Sequence, residues 1–240
     1  MISIILPTYD ESGNIEKLVD LLVKEVPKPM EIVIVDDDSP DKTWKIAESL
    51  KRKYDNLTVL RRINKSGLTS AIRDGIKLAK GDILVWMDAD LSIPPSKIPS
   101  LIEKIEDGFD LVIGSRYIPG GGTVIIEKED DSLVLVILSF ILNFFIQKLL
   151  DPSIHDYTSG FIAVRKNVVN KIKLRGNHGE YFISLVYKAL KHGFKVTEVP
   201  YILGSREYGI SKTGTRWWQY FQKGVDYLAV AIKMLFYKAK

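Results

Sequence analysis

Residues 83–95 read ILVWMDADLSIPP, an apolar run that ends at two aspartates. The run Ile83–Met87 has the length and the Val, Ile and Leu content of a strand that is buried on both faces of a sheet. In extended backbone, residues two positions apart point the same way, so Asp88 and Asp90 can converge on one ion. Carboxylate oxygens without His or Cys are ligands that suit Mg²⁺ or Mn²⁺. The stretch therefore predicts a buried strand that ends at a site for a divalent cation.

The same kind of strand recurs along the first 115 residues. Four further runs rich in Val, Ile and Leu are Ile2–Leu6, Glu31–Val35, Leu57–Arg61 and Leu111–Gly114. Apolar residues at helical spacing occupy the segments between strands, at 14–26, 42–54, 68–80 and 95–107. This βαβα alternation predicts an α/β fold with a doubly wound, mostly parallel sheet and right-handed crossovers. In such a sheet, ligands bind at the carboxyl ends of the strands.

Acidic residues follow two other predicted strands as well. The first strand is followed by Pro7-Thr8-Tyr9-Asp10-Glu11, and the second by Asp36-Asp37-Asp38. Taken singly, each acid can be a helix cap or part of a polar loop. Because the carboxyl ends of parallel strands lie along one edge, the three groups together favour a binding site.

Length and composition exclude several classes of protein. The 240 residues predict a single domain, 1–240, and the lack of cysteine excludes disulfides, thiolate metal sites and a cysteine nucleophile. The N-terminus has no basic region or cleavage site typical of a signal peptide. Residues 206–240 hold seven Lys and Arg against two acids, a charge of +5, which leaves −1 for residues 1–205. This distribution disfavours a general nucleic-acid surface and leaves a basic tail to explain.

Two segments have the composition of a membrane-facing helix. Residues 133–146, LVLVILSFILNFFI, carry no charge over 14 residues, fewer than the about 20 that span a bilayer. Residues 216–238 begin with Arg and two Trp and are edged by lysines. Each segment is either a helix packed on the domain or a helix in the membrane interface. We expect membrane-facing amphipathic helices at 132–150 and 215–238, and a location at the cytoplasmic face of a membrane.

Six blocks of the chain resemble a known family in their order and spacing. They are IILPTYDESGNI, EIVIVDDDSPDKT, ILVWMDADLSIPP, DLVIGSRYIPGGG, DYTSGFIAVRK and VPYILGSREYGISK. Together they resemble the polyprenyl-phosphate glycosyltransferases of glycosyltransferase family 2. The resemblance implies an A-type glycosyltransferase (Rossmann-like) fold with a mostly parallel central sheet and amphipathic interface helices. It also implies an inverting transfer of mannose from a nucleotide-sugar donor, GDP-mannose, to dolichyl (polyprenyl) phosphate.

The resemblance further implies roles for individual positions. Residues that border the base or ribose would be Pro7, Tyr9, Glu11, Val35 and Asp37. Residues that line the donor diphosphate would be Asp88, Ala89 and Asp90, with Asp88, Asp90 and Ser92 as metal ligands. The basic residues that face phosphates would be Arg116, Arg206 and Lys212. The catalytic set would be Asp88, Asp90 and Arg206.

A phosphate acceptor is an anion at neutral pH, so the reaction does not demand a strong general base. This fits a chain whose three histidines, His155, His178 and His192, lie outside the strand-end cluster, and we expect each to be a surface or loop residue and not a catalyst.

Two stretches depart from the family pattern. Residues 127–131, EKEDD, carry −3 where the family has basic residues. This charge disfavours the loop as the place that meets the acceptor phosphate and leaves Lys128 as the only local cation. Gly160-Phe161-Ile162 replaces the family's Gly-Phe-Arg.

Three alternatives stay open at this point. One is a UDP-glucose-dependent polyprenyl-phosphate glucosyltransferase, because the base and the sugar are not decided by these residues. Another is a family 2 transferase with a non-phosphate acceptor and Asp156 as general base. The third is a non-enzymatic adaptor. The oligomeric state, a membrane-anchoring partner subunit and a continuation into transmembrane helices are also left open.

Overall fold

The computed structural model describes residues 1–65, 67–124, 132–209 and 217–239, except the side chains of Ser132, Leu135 and residues 217–223. Nine strands lie in these ranges: β1 (Ile2–Thr8), β2 (Met30–Asp36), β3 (Leu57–Arg61), β4 (Ile83–Trp86), β5 (Leu111–Ser115), β6 (Gly122–Thr123), β7 (Ile162–Arg165), β8 (Val196–Pro200) and β9 (Ile202–Leu203). The α-helices there are α1 (Ile15–Glu25), α2 (Thr43–Leu50), α3 (Leu68–Leu78), α4 (Ile98–Glu106), α5 (Ser132–Leu149), α6 (Lys166–Lys171), α7 (Tyr181–Lys191) and α8 (Trp217–Leu235). A 3₁₀ turn, Pro95–Lys97, leads into α4.

Seven strands form one sheet in the order β3-β2-β1-β4-β7-β5-β8. All neighbouring strands are parallel except β7, which runs antiparallel to both β4 and β5. The mostly parallel α/β sheet predicted from the sequence is therefore confirmed. Strands β7 and β8 of this sheet were not among the predicted strands. The short strands β6 and β9 pair separately and join the segments near residues 122 and 202.

The sheet is buried on both faces because its helices alternate between them. Adjacent residues of β1 show this, since Ile4 belongs to one hydrophobic cluster and Ile5 to the other. Helices α1, α2 and α4 contribute to the first cluster, and α3 and α7 contribute to the second. In α1 the buried residues are spaced as one face of a helix, at Ile15, Leu18, Val19 and Leu22.

Helices α5 and α8 pack against each other and leave much apolar surface exposed. Ile146 of α5 and Ala231 of α8 are buried in the second cluster and anchor the pair to the domain. The exposed large apolar residues are Leu133, Val134, Ile137, Phe140, Ile141, Phe144, Phe145 and Leu149 on α5, and Val225, Leu228, Ile232 and Leu235 on α8. Of the helices described in the structure, none has the length and apolar character needed to cross a bilayer.

Gly114 of β5 marks a close approach that shapes the core beside the strand ends. A Cβ added at Gly114 would overlap the ring of Phe161, which is fully buried and packs edge-on against Tyr201. We expect Gly114→Ala to lower the free energy of unfolding by about 1–3 kcal/mol because the packed ring has to shift. Chemical denaturation measures this change. The control is Gly122→Ala, where an added Cβ meets nothing within 4 Å; an equal loss in both variants would contradict the packing argument.

Candidate active site

A cavity of about 1260 Å³ lies at the carboxyl edge of the sheet. Its wall includes the segments that follow β1, β2 and β4, as the α/β topology predicts. Of the residues singled out in the sequence, those that line it are Pro7, Tyr9, Glu11, Asp37, Asp88, Ala89, Asp90, Ser92, Arg116 and Arg206. Lys212 and the acidic residues 127–131 lie outside the described residues.

The Asp-Ala-Asp step holds its two carboxylates in different environments. Asp88 is exposed, whereas Asp90 is only 6% exposed. One oxygen of Asp90, Oδ1, accepts hydrogen bonds from the backbone N and the Oγ of Ser92, at 2.9 and 2.6 Å. Leu91 between them has φ +64°, a rare backbone conformation for a branched residue. This turn folds Ser92 back onto Asp90, and such local strain is typical of functional sites.

Arg206 bridges two carboxylates that are far from it in the sequence. Its Nη1 donates to Oε1 of Glu11 at 2.8 Å, and its Nη2 lies 2.8 Å from Oδ2 of Asp90. Glu11 also accepts a hydrogen bond from Nδ2 of the buried Asn14, at 2.7 Å. Arg206 thereby supplies a positive charge at the carboxyl ends of β1 and β4.

The segment around Arg206 is held in place from both sides. The backbone N of Glu207 donates to the carbonyl oxygen of Asp90 at 3.3 Å, and that of Gly204 donates to the carbonyl oxygen of Ser92 at 2.8 Å. The carboxylate of Glu207 is in turn bound by Nζ of Lys17, on α1. Backbone and side-chain contacts together keep residues 204–207 against the site.

Asp37, at the end of β2, contacts the buried side chain of Arg62. The Nε of Arg62 donates to Oδ1 of Asp37 at 2.7 Å, and the backbone N of Gly67 donates to Oδ2 at 2.9 Å. Burial raises the pKa of Asp37, and the hydrogen bonds and charge of Arg62 oppose that rise. Sequence reasoning missed Arg62. The pair Arg61-Arg62 at the end of β3 could have indicated a buried arginine, because the side chains of neighbouring strand residues point to opposite faces of a sheet.

Val35 is placed differently from the other predicted nucleotide-binding residues. Its side chain is fully buried in the second cluster, with Ile5 and Ala71, and it is not part of the cavity wall. Its backbone pairs in register with Pro7, which does line the cavity. Any contact of Val35 with a nucleotide would therefore involve its backbone, and its role stays a prediction.

Arg116 is fixed by Asp156 from the segment before β7. Its Nε and Nη2 donate to the two carboxylate oxygens of Asp156 at 2.8 and 2.9 Å, and Nη2 also donates to Oγ1 of Thr158. Burial favours a lower pKa for Arg116, but the charge and hydrogen bonds of Asp156 outweigh it and raise that pKa. Asp156 is fully buried and also accepts from the backbone N of Arg116 and of Thr158. These contacts disfavour Asp156 as a general base.

One histidine lies closer to the site than the sequence suggested. His178 lines the cavity, whereas His155 pairs with Glu198 and His192 with Tyr237. The sequence predicted that all three lie outside the strand-end cluster. It missed His178 because no pattern in the loop before α7 indicates that this loop reaches the cavity. Nearby, Nε1 of Trp86 donates to the hydroxyl of Tyr181 at 2.8 Å, in a buried pair that also lines the cavity.

The cavity continues from this polar chamber into an apolar groove between α5 and α8. The groove is lined by Leu138, Ile141, Leu142, Phe145 and Leu149 from α5 and by Val225, Leu228 and Ile232 from α8. Charged groups at one end and apolar side chains at the other therefore share one continuous space.

The residues present fit a divalent cation that is shared with a substrate. Among the described residues, no group of three or more His, Cys, Asp or Glu side chains is arranged to hold a metal ion. Magnesium is commonly held by one or two carboxylates together with substrate phosphates. Asp88 and Asp90 match that smaller donor set, since both line the cavity.

Curated relatives cover most of the chain. It is 41% identical over 215 residues to the dolichol-phosphate mannosyltransferase of Pyrococcus furiosus, an alignment that covers 88% of this chain and 58% of that protein. It is 38% identical over 216 residues to the polyprenol monophosphomannose synthase of Mycolicibacterium smegmatis, which covers 87% of this chain and 79% of that protein. The chain thus spans little more than half the length of its Pyrococcus relative.

Solved structures with the same fold include glucosyl-3-phosphoglycerate synthase of Mycobacterium tuberculosis. Its complex with Mn²⁺, UDP and glucosyl-3-phosphoglycerate gives a TM-score of 0.71 at 18% identity, over 98% of this chain and 79% of that one. Its complex with Mg²⁺ and UDP gives a TM-score of 0.69 at 16% identity, with the same coverage. At these identities the likeness shows the fold, and the predicted A-type glycosyltransferase fold is confirmed.

The family model described as "Glycosyl transferase family 2" matches residues 3–173. This range contains the segments after β1, β2 and β4 that bring carboxylates to the cavity. With a match over more than half of its length and relatives at 41% and 38% identity, the chain belongs to glycosyltransferase family 2.

Proposed function

We propose that this chain transfers mannose from GDP-mannose to a polyprenyl phosphate such as dolichyl phosphate, with inversion at the anomeric carbon and release of GDP. The observation that carries the proposal is the single cavity with two chemically different ends. The polar end has carboxylates and arginines suited to a nucleoside diphosphate and a cation, and the apolar end suits a hydrocarbon chain. The names of the two curated relatives join mannose to dolichol or polyprenol, which supports the same pairing.

Charge at the polar end would stabilise the leaving diphosphate. Asp88 and Asp90 would hold Mg²⁺ or Mn²⁺ with the donor, and the bound cation would neutralise negative charge that develops on the leaving group. Arg206 lies 2.8 Å from Asp90, so it is close enough to exchange that carboxylate for a phosphate oxygen. The two terminal nitrogens of Arg206 contact two different carboxylates in the free protein, and the same planar guanidinium suits two phosphate oxygens at once.

The acceptor would act as its own nucleophile. One oxygen of the lipid phosphate attacks the anomeric carbon while the bond from that carbon to the β-phosphate oxygen of GDP breaks. The bonding electrons leave with GDP, and no proton has to be removed from the attacking oxygen. This agrees with the position of Asp156, which is fully buried and paired with Arg116 rather than available as a base.

The exposed apolar faces of α5 and α8 would bring the cavity to a membrane surface, with the cytoplasmic face as the expected side. The groove between these helices opens into the cavity, so a lipid chain lying in the interface would place its phosphate near the strand ends. Lys233, within α8, and Lys238, just beyond it, would add attraction to anionic headgroups, each worth about 1 kcal/mol near the surface.

Replacement of Asp90 tests the polar end. Asp90→Ala is expected to lower the rate of mannosyl transfer by about 100-fold or more, because the diphosphate loses preorganised charge stabilisation. Transfer of labelled mannose to polyprenyl phosphate measures the rate, and circular dichroism reports the fold. Asp107→Ala, which removes an exposed carboxylate paired with Lys104, serves as the control. A folded Asp90→Ala protein with undiminished metal-dependent transfer would show that Asp90 is not a required metal ligand.

Arg206 is tested separately from the metal ligands. We expect Arg206→Ala to lower kcat about 100-fold and Arg206→Lys to restore part of it, because Lys keeps the charge but not the bidentate fork. Steady-state kinetics with GDP-mannose gives kcat for both variants. Arg52→Ala, at an exposed position after α2, is the matched control. If Arg206→Ala keeps kcat within about threefold of the wild type, Arg206 does not stabilise the leaving group.

The apolar groove is tested with two residues of α8. Ile232 lines the groove and Leu235 does not, although both are about half exposed. Ile232→Ser is expected to raise KM for a long-chain polyprenyl phosphate about tenfold with KM for GDP-mannose unchanged, since burying such a side chain is worth about 1.5–3 kcal/mol. Leu235→Ser, assayed in the same detergent micelles, should leave both KM values near the wild type. Equal effects of the two variants would show that the lipid chain does not use this groove.

A further inference from the structure

Arg62 is a charged residue that has no role in the proposed reaction. Its side chain is only 2% exposed, and it does not line the cavity, so it is not placed to touch a substrate. A buried guanidinium is costly unless carboxylates and other acceptors surround it. The partners of Arg62 therefore indicate what its burial accomplishes.

Those partners tie three segments together. Nε donates to Oδ1 of Asp37 at 2.7 Å, on the segment after β2. Nη1 donates to Oγ of Ser70 at 2.8 Å and to Oδ2 of Asp74 at 3.2 Å, both on α3. Nη2 donates to the carbonyl oxygen of Gly67, whose own backbone N donates to Oδ2 of Asp37. The start of α3 and the Asp37 carboxylate are thus held in one fixed arrangement.

Asp37 is the carboxylate of this segment that reaches the cavity. Its neighbour Asp36 is fully buried and accepts hydrogen bonds from Thr8 and Ser39, whereas Asp37 lines the wall together with Pro7. A carboxylate has about four lone-pair positions. Oδ1 of Asp37 is contacted by both Nε and Nη2 of Arg62, and Oδ2 accepts from the backbone N of Gly67, so the described contacts leave one accepting position, on Oδ2.

We propose that Arg62, with Asp74, is a positioning residue that aims the open oxygen of the Asp37 carboxylate at an N–H donor of the nucleotide base. This inference rests on the proposed GDP-mannose donor. Guanine presents N–H donors on its edge, and the position that Oδ2 keeps can accept one of them.

The neighbouring arginine provides a matched comparison. Arg61 also pairs with an aspartate, Asp38, but it is exposed, and its guanidinium stacks on the ring of Trp44 outside the cavity wall. Both arginines leave the end of β3 and both bind a carboxylate that follows β2. Only the contact of Arg62 reaches a residue of the cavity, so the two substitutions separate positioning from a general loss of charge.

The experiment measures binding of GDP and of inorganic pyrophosphate, each with Mn²⁺, by isothermal titration calorimetry. Arg62→Lys is expected to weaken GDP binding about tenfold, because Lys cannot reproduce the fork of hydrogen bonds to Asp37. Pyrophosphate affinity should stay within about twofold, since the diphosphate contacts lie at Asp88, Asp90 and Arg206. Arg61→Lys should change neither affinity. The ratio of the two affinities is the readout that a merely structural role would not move.

Asp74→Asn is a second variant in case Arg62→Lys melts at a lower temperature. It keeps Arg62 and Asp37 and removes one charged anchor of the guanidinium, so a smaller loss in the same ratio is expected. Equal losses of GDP and pyrophosphate affinity, or no change in either, would overturn the role of Arg62. If the wild type binds UDP more tightly than GDP, the proposed donor is wrong. A selective loss of UDP relative to pyrophosphate in Arg62→Lys would then still support positioning by Arg62.

Discussion

The carboxylate of Asp90 joins segments that are distant in the chain. Its Oδ2 pairs with Arg206 and its Oδ1 accepts from Ser92, while its backbone carbonyl accepts from Glu207. A carboxylate that is 6% exposed requires such partners, because an unpaired buried charge is strongly destabilising. The same need brings the segment around Arg206 to the carboxyl edge of the sheet. The contacts of Asp90 in the free protein thus bring together the groups that we propose for binding a donor diphosphate.

Two arginines of the site are held in different ways, and the difference suits different tasks. Arg116 has a fully buried partner, Asp156, and further hydrogen bonds that fix its orientation. Arg206 bridges the carboxylates of Glu11 and Asp90, which themselves line the cavity. In the proposed reaction Arg206 would exchange the Asp90 carboxylate for a phosphate oxygen of the donor. Arg116 would keep its position while that exchange occurs.

Hydrophobic periodicity predicted β1–β5 and α1–α4 because each of these elements buries one regular set of apolar residues. The same pattern located the strand ends and therefore the acidic edge of the cavity. Strands β7 and β8 escaped prediction since they follow residue 115, beyond which strands and helices no longer alternate regularly along the chain. The pair between Arg206 and Glu11 spans 195 positions, and no local pattern encodes such a contact. Arg62 was missed because a charged residue is expected at the surface unless its partners are known.

The central claim is that one cavity brings a nucleotide-activated mannose to a lipid phosphate. The most direct measurement is a transfer assay with labelled GDP-mannose and labelled UDP-glucose, each supplied with polyprenyl phosphate and Mn²⁺. The account predicts that label enters the lipid fraction from GDP-mannose, and that leaving out the polyprenyl phosphate abolishes the product. Transfer from UDP-glucose alone, or label appearing on an acceptor without a phosphate, would contradict it.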